Sequence, residues 1–94
     1  VTSGEAGFVL HPEARRDLVD IWEYIAEDDL VAAGRVRQSI LDAIRLLVAF
    51  PQQGRIRPYL TSRPLRFHVV KNYLIAYAPK TAPLLVAAIL RGRE

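Results

Sequence analysis

Arg66, His68 and Tyr77 are of the side-chain types that metal-free RNA cleavage uses. That reaction needs a base for the 2′-hydroxyl proton, an acid for the leaving oxygen and cations for the developing charge. His68 is the candidate base, because imidazole titrates near neutrality. Arg55, Arg57, Arg66, Arg91 and Arg93 supply cations. The same arginines have a second use, because a guanidinium recognises a carboxylate or phosphate through planar, bidentate contacts. The chain can therefore be read as a nuclease or as an anion-binding surface. Plainer roles stand beside both: His68 as a sheet histidine bonded to a neighbour, Tyr73 and Tyr77 as sheet-packing aromatics, Trp22 as a core residue, and arginine as a solubilising side chain.

The elements that must position these residues follow from periodicity. Residues 7–11 form a short β-prone run, and Pro12 suits the first turn of a helix, where its missing N–H costs nothing. Ala14, Leu18, Ile21, Trp22 and Ile25 then fall on one helical face, with Asp17, Asp20, Glu23 and Glu27 off it. Glu13 and Asp17 sit near the favourable end of the helix dipole. Residues 27–29 read as a tight link. A second helix runs from about Leu30 to Ala49, with Val36, Ile40, Ala43, Ile44 and Leu47 as its stripe, and stops at Phe50-Pro51. Such a pair makes an antiparallel helical hairpin.

Residues 51–64 hold three prolines, a glycine and three arginines, and read as a loop. Leu65–Val70 and Tyr73–Ala78 flank Lys71-Asn72, the length of a two-residue hairpin turn. That turn sets Val70 opposite Tyr73, His68 opposite Ile75 and Arg66 opposite Tyr77, all on one face. Leu65, Phe67, Val69, Leu74 and Ala76 share the other, wholly apolar face, which is expected to pack on the helices. Residues 79–83 form a turn before a last strand, Leu84–Arg91, whose tip carries Arg91 and Arg93. Arg91 is expected on the face opposite Leu90. The order is β-α-α-β-β-β, an α+β fold with the helical hairpin packed on a small, mainly antiparallel sheet. The first strand is expected beside the last strand or at an edge. Residues 1–7 read as a flexible lead and 8–94 as a single domain.

The chain has 94 residues, the size of one domain, and no cysteine, so disulfides and thiolate metal sites are excluded. Two histidines, His11 and His68, are too few for a histidine-based metal site without carboxylates, and no metal or cofactor is expected. No apolar run approaches ~18 residues, and the opening lacks the basic and apolar regions of a signal peptide, so a cytoplasmic protein with no membrane contact is expected. The hydrophobic fraction is 51%, high for a small soluble domain, which implies a dense core or an apolar face awaiting a partner. Charge is divided unevenly. Residues 1–50 carry nine acids and five bases, whereas residues 51–94 carry eight bases and one acid, Glu94. A basic surface for an anionic partner follows.

Four stretches, in order, resemble the RelE/ParE toxin superfamily. "FVLHPEARRDLVDIWEYIA" is similar to its first strand and helix, with Ala14, Asp17, Leu18, Ile21 and Tyr24 in the pattern A-x-x-D-L-x-x-I-x-x-Y. "FPQQGRIRPYL" resembles its P-x-x-G loop. "LRFHVVKNYLIAYAP" resembles its hairpin, with Arg66, Val70, Tyr73, Ile75 and Tyr77 in place. "AILRGRE" resembles its closing segment, with Arg91 where histidine is common. The resemblance covers residues 8–94 and looks more like the ParE branch than the RelE branch. It implies the toxin of a type II toxin–antitoxin system that poisons DNA gyrase and is not itself a nuclease. The RelE alternative is a ribosome-dependent mRNA endonuclease, here with His68, Arg66 and Tyr77 as its residues. Such enzymes usually place a tyrosine or a histidine–tyrosine pair at the C-terminus, and an arginine cannot act as a base near pH 7. A non-toxic interaction domain is a further alternative. The implied partner is a small acidic ParD-like antitoxin whose otherwise disordered segment wraps the toxin in a hetero-oligomer. Arg55, Arg57, Arg66, Arg91 and Arg93 are the expected antitoxin- or target-binding residues. Specific DNA binding is expected of the antitoxin, because the basic residues of this chain lie mainly in loops and strands.

Overall fold

The computed structural model describes residues 7–92, so Arg93 and Glu94 lie outside the described residues, as do residues 1–6. Strand β1 (Phe8–Leu10) leads into helix α1 (Pro12–Ala26), helix α2 (Leu30–Ala49), and strands β2 (Arg66–Val70), β3 (Tyr73–Ala78) and β4 (Leu84–Arg91). Pro12 occupies the first turn of α1, and the Glu13 N–H donates to His11 Nδ1 at 3.0 Å. Asp29 caps α2 by accepting the Ala32 N–H at 3.0 Å. Each cap satisfies a backbone donor that the first helical turn leaves without a partner.

The sheet order is β1-β4-β3-β2. β1 lies at the edge, parallel to β4, with Phe8 beside Leu84 and Leu10 beside Val86. The other pairs are antiparallel. The hairpin has the expected register: Arg66 faces Tyr77, His68 faces Ile75 and Val70 faces Tyr73. Lys71 turns the chain with φ 54°, in the left-handed region. Ala76 pairs with Ala88 but Tyr77 with Val86, so Ala87 is an extra residue in β4. That bulge shifts the alternation, and Leu84, Val86 and Ile89 all reach the core.

Two expectations are overturned. The face that packs on the helices is the amphipathic one: Tyr73, Ile75, Tyr77 and Val70 join Leu18, Ile40, Ile44 and Leu47 in the main core. The wholly apolar face points the other way. Phe67, Leu74 and Ala76 form a separate small cluster with Leu65 and Ala88. The loop after α2 covers part of that face, with Leu60, Thr61 and Arg63 near Phe67, Ala76 and Leu90. Trp22 also departs from its expected role. It is half-buried, outside the main core, and lines a shallow recess with Leu18, Val19 and Arg37. The stripe turns Ala14 and Leu18 fully inward, and Trp22 sits at its margin. Ile40, Ile44, Leu47, Ile75, Tyr77 and Val86 are the largest fully buried side chains. Burying an aliphatic side chain of this size contributes about 1.5–3 kcal/mol, so these residues hold the helices on the sheet.

Candidate functional site

The basic residues of the C-terminal half gather at two ends of the sheet. The hairpin register puts Arg66 and Tyr77 at one end and Tyr73, paired with Arg91, at the other. About 13 Å of strand separates them at the usual rise per residue. The expected set of arginines is therefore divided between two ends of the sheet, with Arg66, and Arg55 on the segment paired beside it, at one end and Arg91 at the other. Arg93 lies outside the described residues.

The first surface is built around Gly54. The Gly54 N–H donates to the Tyr77 hydroxyl at 2.8 Å, and that hydroxyl donates to the Pro51 carbonyl at 2.7 Å. Arg66 Nη1 donates to the Gly54 carbonyl at 2.7 Å. The next residue, Arg55, exchanges two backbone hydrogen bonds with Phe67, both 2.8 Å, and so extends the sheet beyond β2. A Cβ on Gly54 would stand 2.5 Å from the Tyr77 oxygen, which is why the P-x-x-G loop needs glycine here. Arg57 Nη1 donates to the Tyr59 hydroxyl at 2.9 Å. Next to this latch, Arg63, Arg66 and Lys80 surround a recess floored by Ile56, Leu65 and Pro79, with no carboxylate in its lining. Arg63 and Lys80 were not singled out by sequence. They become part of the surface because the loop folds back over the β3–β4 turn.

The three residues of the nuclease reading share a face but not an arrangement. Tyr77 is fully buried, and its hydroxyl already donates once and accepts once. Burial pushes its pKa up, against the smaller opposing pulls of the Gly54 N–H and Arg66. His68 is half-buried, and its ring makes no hydrogen bond among the described residues. Burial lowers its pKa, favouring the neutral ring. Among the described residues, no three His, Asp or Glu side chains are grouped to hold a metal ion. No helix among them is long and apolar enough to cross a membrane.

The second surface is the tip of β4. Arg91 lies on the helix side of the sheet, opposite Leu90 in the alternation, and its guanidinium sits over the Tyr24 ring at 4.7 Å from the centroid. β1 pairs β4 only as far as Val86, which leaves the following stretch of that edge without a strand partner. There the Ile89 N–H donates to Asp17 Oδ2 at 2.9 Å, joining residues 72 apart in sequence. Gly92, with φ 106°, donates its N–H to the Asn72 carbonyl at 2.7 Å and turns the chain past the sheet. The sequence patterns contained Asp17, Tyr24 and Gly54, but nothing local to those residues names their partners.

Comparison with known proteins agrees with this geometry. The chromosomal ParDE toxin–antitoxin system from P. aeruginosa provides a solved chain of the same fold, with a TM-score of 0.75 and 19% identity over 92% of this chain and 95% of that one. No curated protein sequence matches. The family model described as ParE toxin of type II toxin-antitoxin system, parDE, matches residues 8–94. With the β-α-α-β-β-β order, the Tyr77–Gly54 latch and the basic tip in place, the chain belongs to the ParE toxin family of type II toxin–antitoxin systems.

Proposed function

We propose that this toxin arrests growth by poisoning DNA gyrase in the cytoplasm, that it does so by binding rather than by cutting RNA, and that a ParD-like antitoxin neutralises it in a hetero-oligomer. The observation that carries the non-enzymatic reading is the state of Tyr77. Its hydroxyl is buried and committed to Gly54 and Pro51, so it is not available to a substrate as an acid. His68 then has no acid partner beside it, and the exposed chemistry is that of arginine. A guanidinium binds anionic groups and does not shuttle protons near neutral pH.

The antitoxin reading rests on surface that a domain this small leaves uncovered. Val19, Tyr24, Leu30, Val31, Leu46, Phe50, Ile56 and Tyr59 are all large, apolar or aromatic, and exposed. A segment that folds as it binds can cover such dispersed sites, with acidic residues for Arg55, Arg57 and Arg91. The relative in the P. aeruginosa structure is part of a ParDE system, which supports a partner of that kind.

Purified toxin incubated with gyrase and DNA tests the proposal. Accumulation of gyrase-dependent cleaved DNA, abolished by Arg91→Ala and by added antitoxin, is expected. Ribosome-dependent cleavage of mRNA, lost in His68→Ala, would overturn it in favour of the endonuclease. Absence of growth arrest on induced expression would leave an interaction domain without toxicity.

A further inference from the structure

We propose that Asp17 and Tyr24 of α1 are positioning residues for the tip, holding β4 so that Arg91 presents the edge of its guanidinium to an anionic oxygen pair on the target. The inference rests on the reading above that the tip makes the toxic contact. It adds how the tip is made ready, and assigns that task to a helix that carries no toxic residue itself.

The argument starts from an edge. β1 is three residues long and β4 eight, so the far half of β4 has a strand neighbour on one side only. A strand end with one free edge frays and twists readily unless something ties it. Asp17 ties it at Ile89, through a hydrogen bond from a backbone N–H to a carboxylate. Such charge-assisted bonds are shorter and stronger than neutral ones. Tyr24 ties it two residues further on, through its ring face under Arg91. Asp17, Ile21 and Tyr24 lie at i, i+4 and i+7, so one stripe of α1 runs alongside the segment.

The second contact has a consequence for chemistry. The guanidinium carbon lies over the ring face, and the attraction of a cation for that face needs no oxygen acceptor. The N–H donors of arginine lie in the plane of the group and point away from its face. The Arg91 side chain makes no hydrogen bond or ion pair among the described residues, although Asp17 and Asp20 line the same groove. The guanidinium is therefore held at Tyr24 while its N–H donors stay open to a planar two-oxygen acceptor, the geometry of a carboxylate or a phosphate. A salt bridge to Asp20 in the same place would have held the arginine equally well but consumed those donors.

Inducer-titrated growth arrest, scored against toxin per cell, tests this without presuming the target. Tyr24→Phe keeps the ring face and should match the wild type. Tyr24→Leu should need about two- to fivefold more toxin, the range of an exposed cation–π contact. Asp17→Asn keeps an acceptor for Ile89 and should lose less than Asp17→Ala. In an Arg91→Ala background, Tyr24→Leu should add nothing, a result that a merely structural role for the ring would not give. Melting temperatures of all variants separate loss of fold from loss of positioning. If Arg91→Ala impairs toxicity but Tyr24→Leu does not, or if the two add independently, the positioning role is wrong and the tip reading stands. If Arg91→Ala is fully toxic, both fall. Binding to gyrase with and without DNA locates the acceptor. Weakening by Tyr24→Leu in both arms places it on a gyrase carboxylate, and weakening only with DNA places it on a phosphate. Unchanged binding in both arms overturns the gyrase reading and not the positioning role, which the growth titration decides.

Discussion

The Tyr77 hydroxyl and the Gly54 N–H meet at 2.8 Å across 23 residues of chain, and the same hydroxyl donates to the Pro51 carbonyl. One phenol oxygen thus satisfies two backbone groups of a loop that has no regular structure to do so. Tyr77→Phe keeps the ring and its packing but leaves both groups without this partner. An unmade buried hydrogen bond costs about 1–3 kcal/mol, so the Tm should fall by several degrees or more. Thermal unfolding checks this. An unchanged Tm would mean that water replaces the hydroxyl.

Gly54→Ala should be at least as damaging, for a different reason. The added methyl would stand 2.5 Å from the Tyr77 oxygen, 2.8 Å from its ring edge and 3.0 Å from the Phe67 carbonyl. Two of those three neighbours survive Tyr77→Phe, so the second substitution should not rescue the first. Overpacking of this kind costs about 1–3 kcal/mol. Urea unfolding of the two single variants and the double variant measures it. A double variant as stable as Tyr77→Phe alone would show that the loop moves aside freely.

Much of this architecture was legible because it is set by local rules. A two-residue turn at Lys71-Asn72 fixes the hairpin register, and the period of two fixes which side chains share a face. Arg66 opposite Tyr77 follows from those facts alone. The inward face differs from the expectation, because the rule that the more apolar face is the buried one does not hold for this hairpin. Here the loop supplies polar partners for Tyr77 and Arg66 at the margin of the core, while Leu60 and Leu65 come over the apolar face outside. Asp17 shows the other limit. Its place near the start of α1 suits the helix dipole, and that local reason hides the bond to Ile89, which exists only once the chain has closed on itself.

Stability should decline in mild acid on account of His68. Burial lowers its pKa in the folded state. The unfolded chain therefore takes up a proton at a pH where the native state does not, and protonation favours unfolding. The contribution is fully present above the ordinary histidine range near 6.5 and is lost as the pH falls through the lowered native value. Denaturant unfolding between pH 8 and pH 4.5 should show a steeper acid slope for the wild type than for His68→Asn. Subtracting the two curves removes every other titrating group. Parallel curves would show that His68 protonates as easily in the folded protein as outside it.

The two-ended distribution of charge predicts that antitoxin affinity and toxicity can be separated by mutation. Arg63 and Lys80, with Arg55 paired to Phe67 nearby, belong to the loop end, whereas Arg91 lies at the far end of β4. None of the first three holds the Tyr77–Gly54 latch through its side chain, so replacing them with alanine should leave the fold intact. Exposed ion pairs contribute about 0.2–1 kcal/mol each, so the triple variant should bind an acidic antitoxin roughly tenfold more weakly at low salt. The deficit should shrink as salt rises, because screening removes the same attraction from the wild type, and the loss should fall mainly on the association rate. Growth arrest by the triple variant without antitoxin should match the wild type. Titration calorimetry at two ionic strengths, with growth assays alongside, decides it. If the triple variant binds normally while Arg91→Ala alone weakens the complex, the antitoxin's acids gather at the tip, and neutralisation acts by covering the residue that makes the toxic contact.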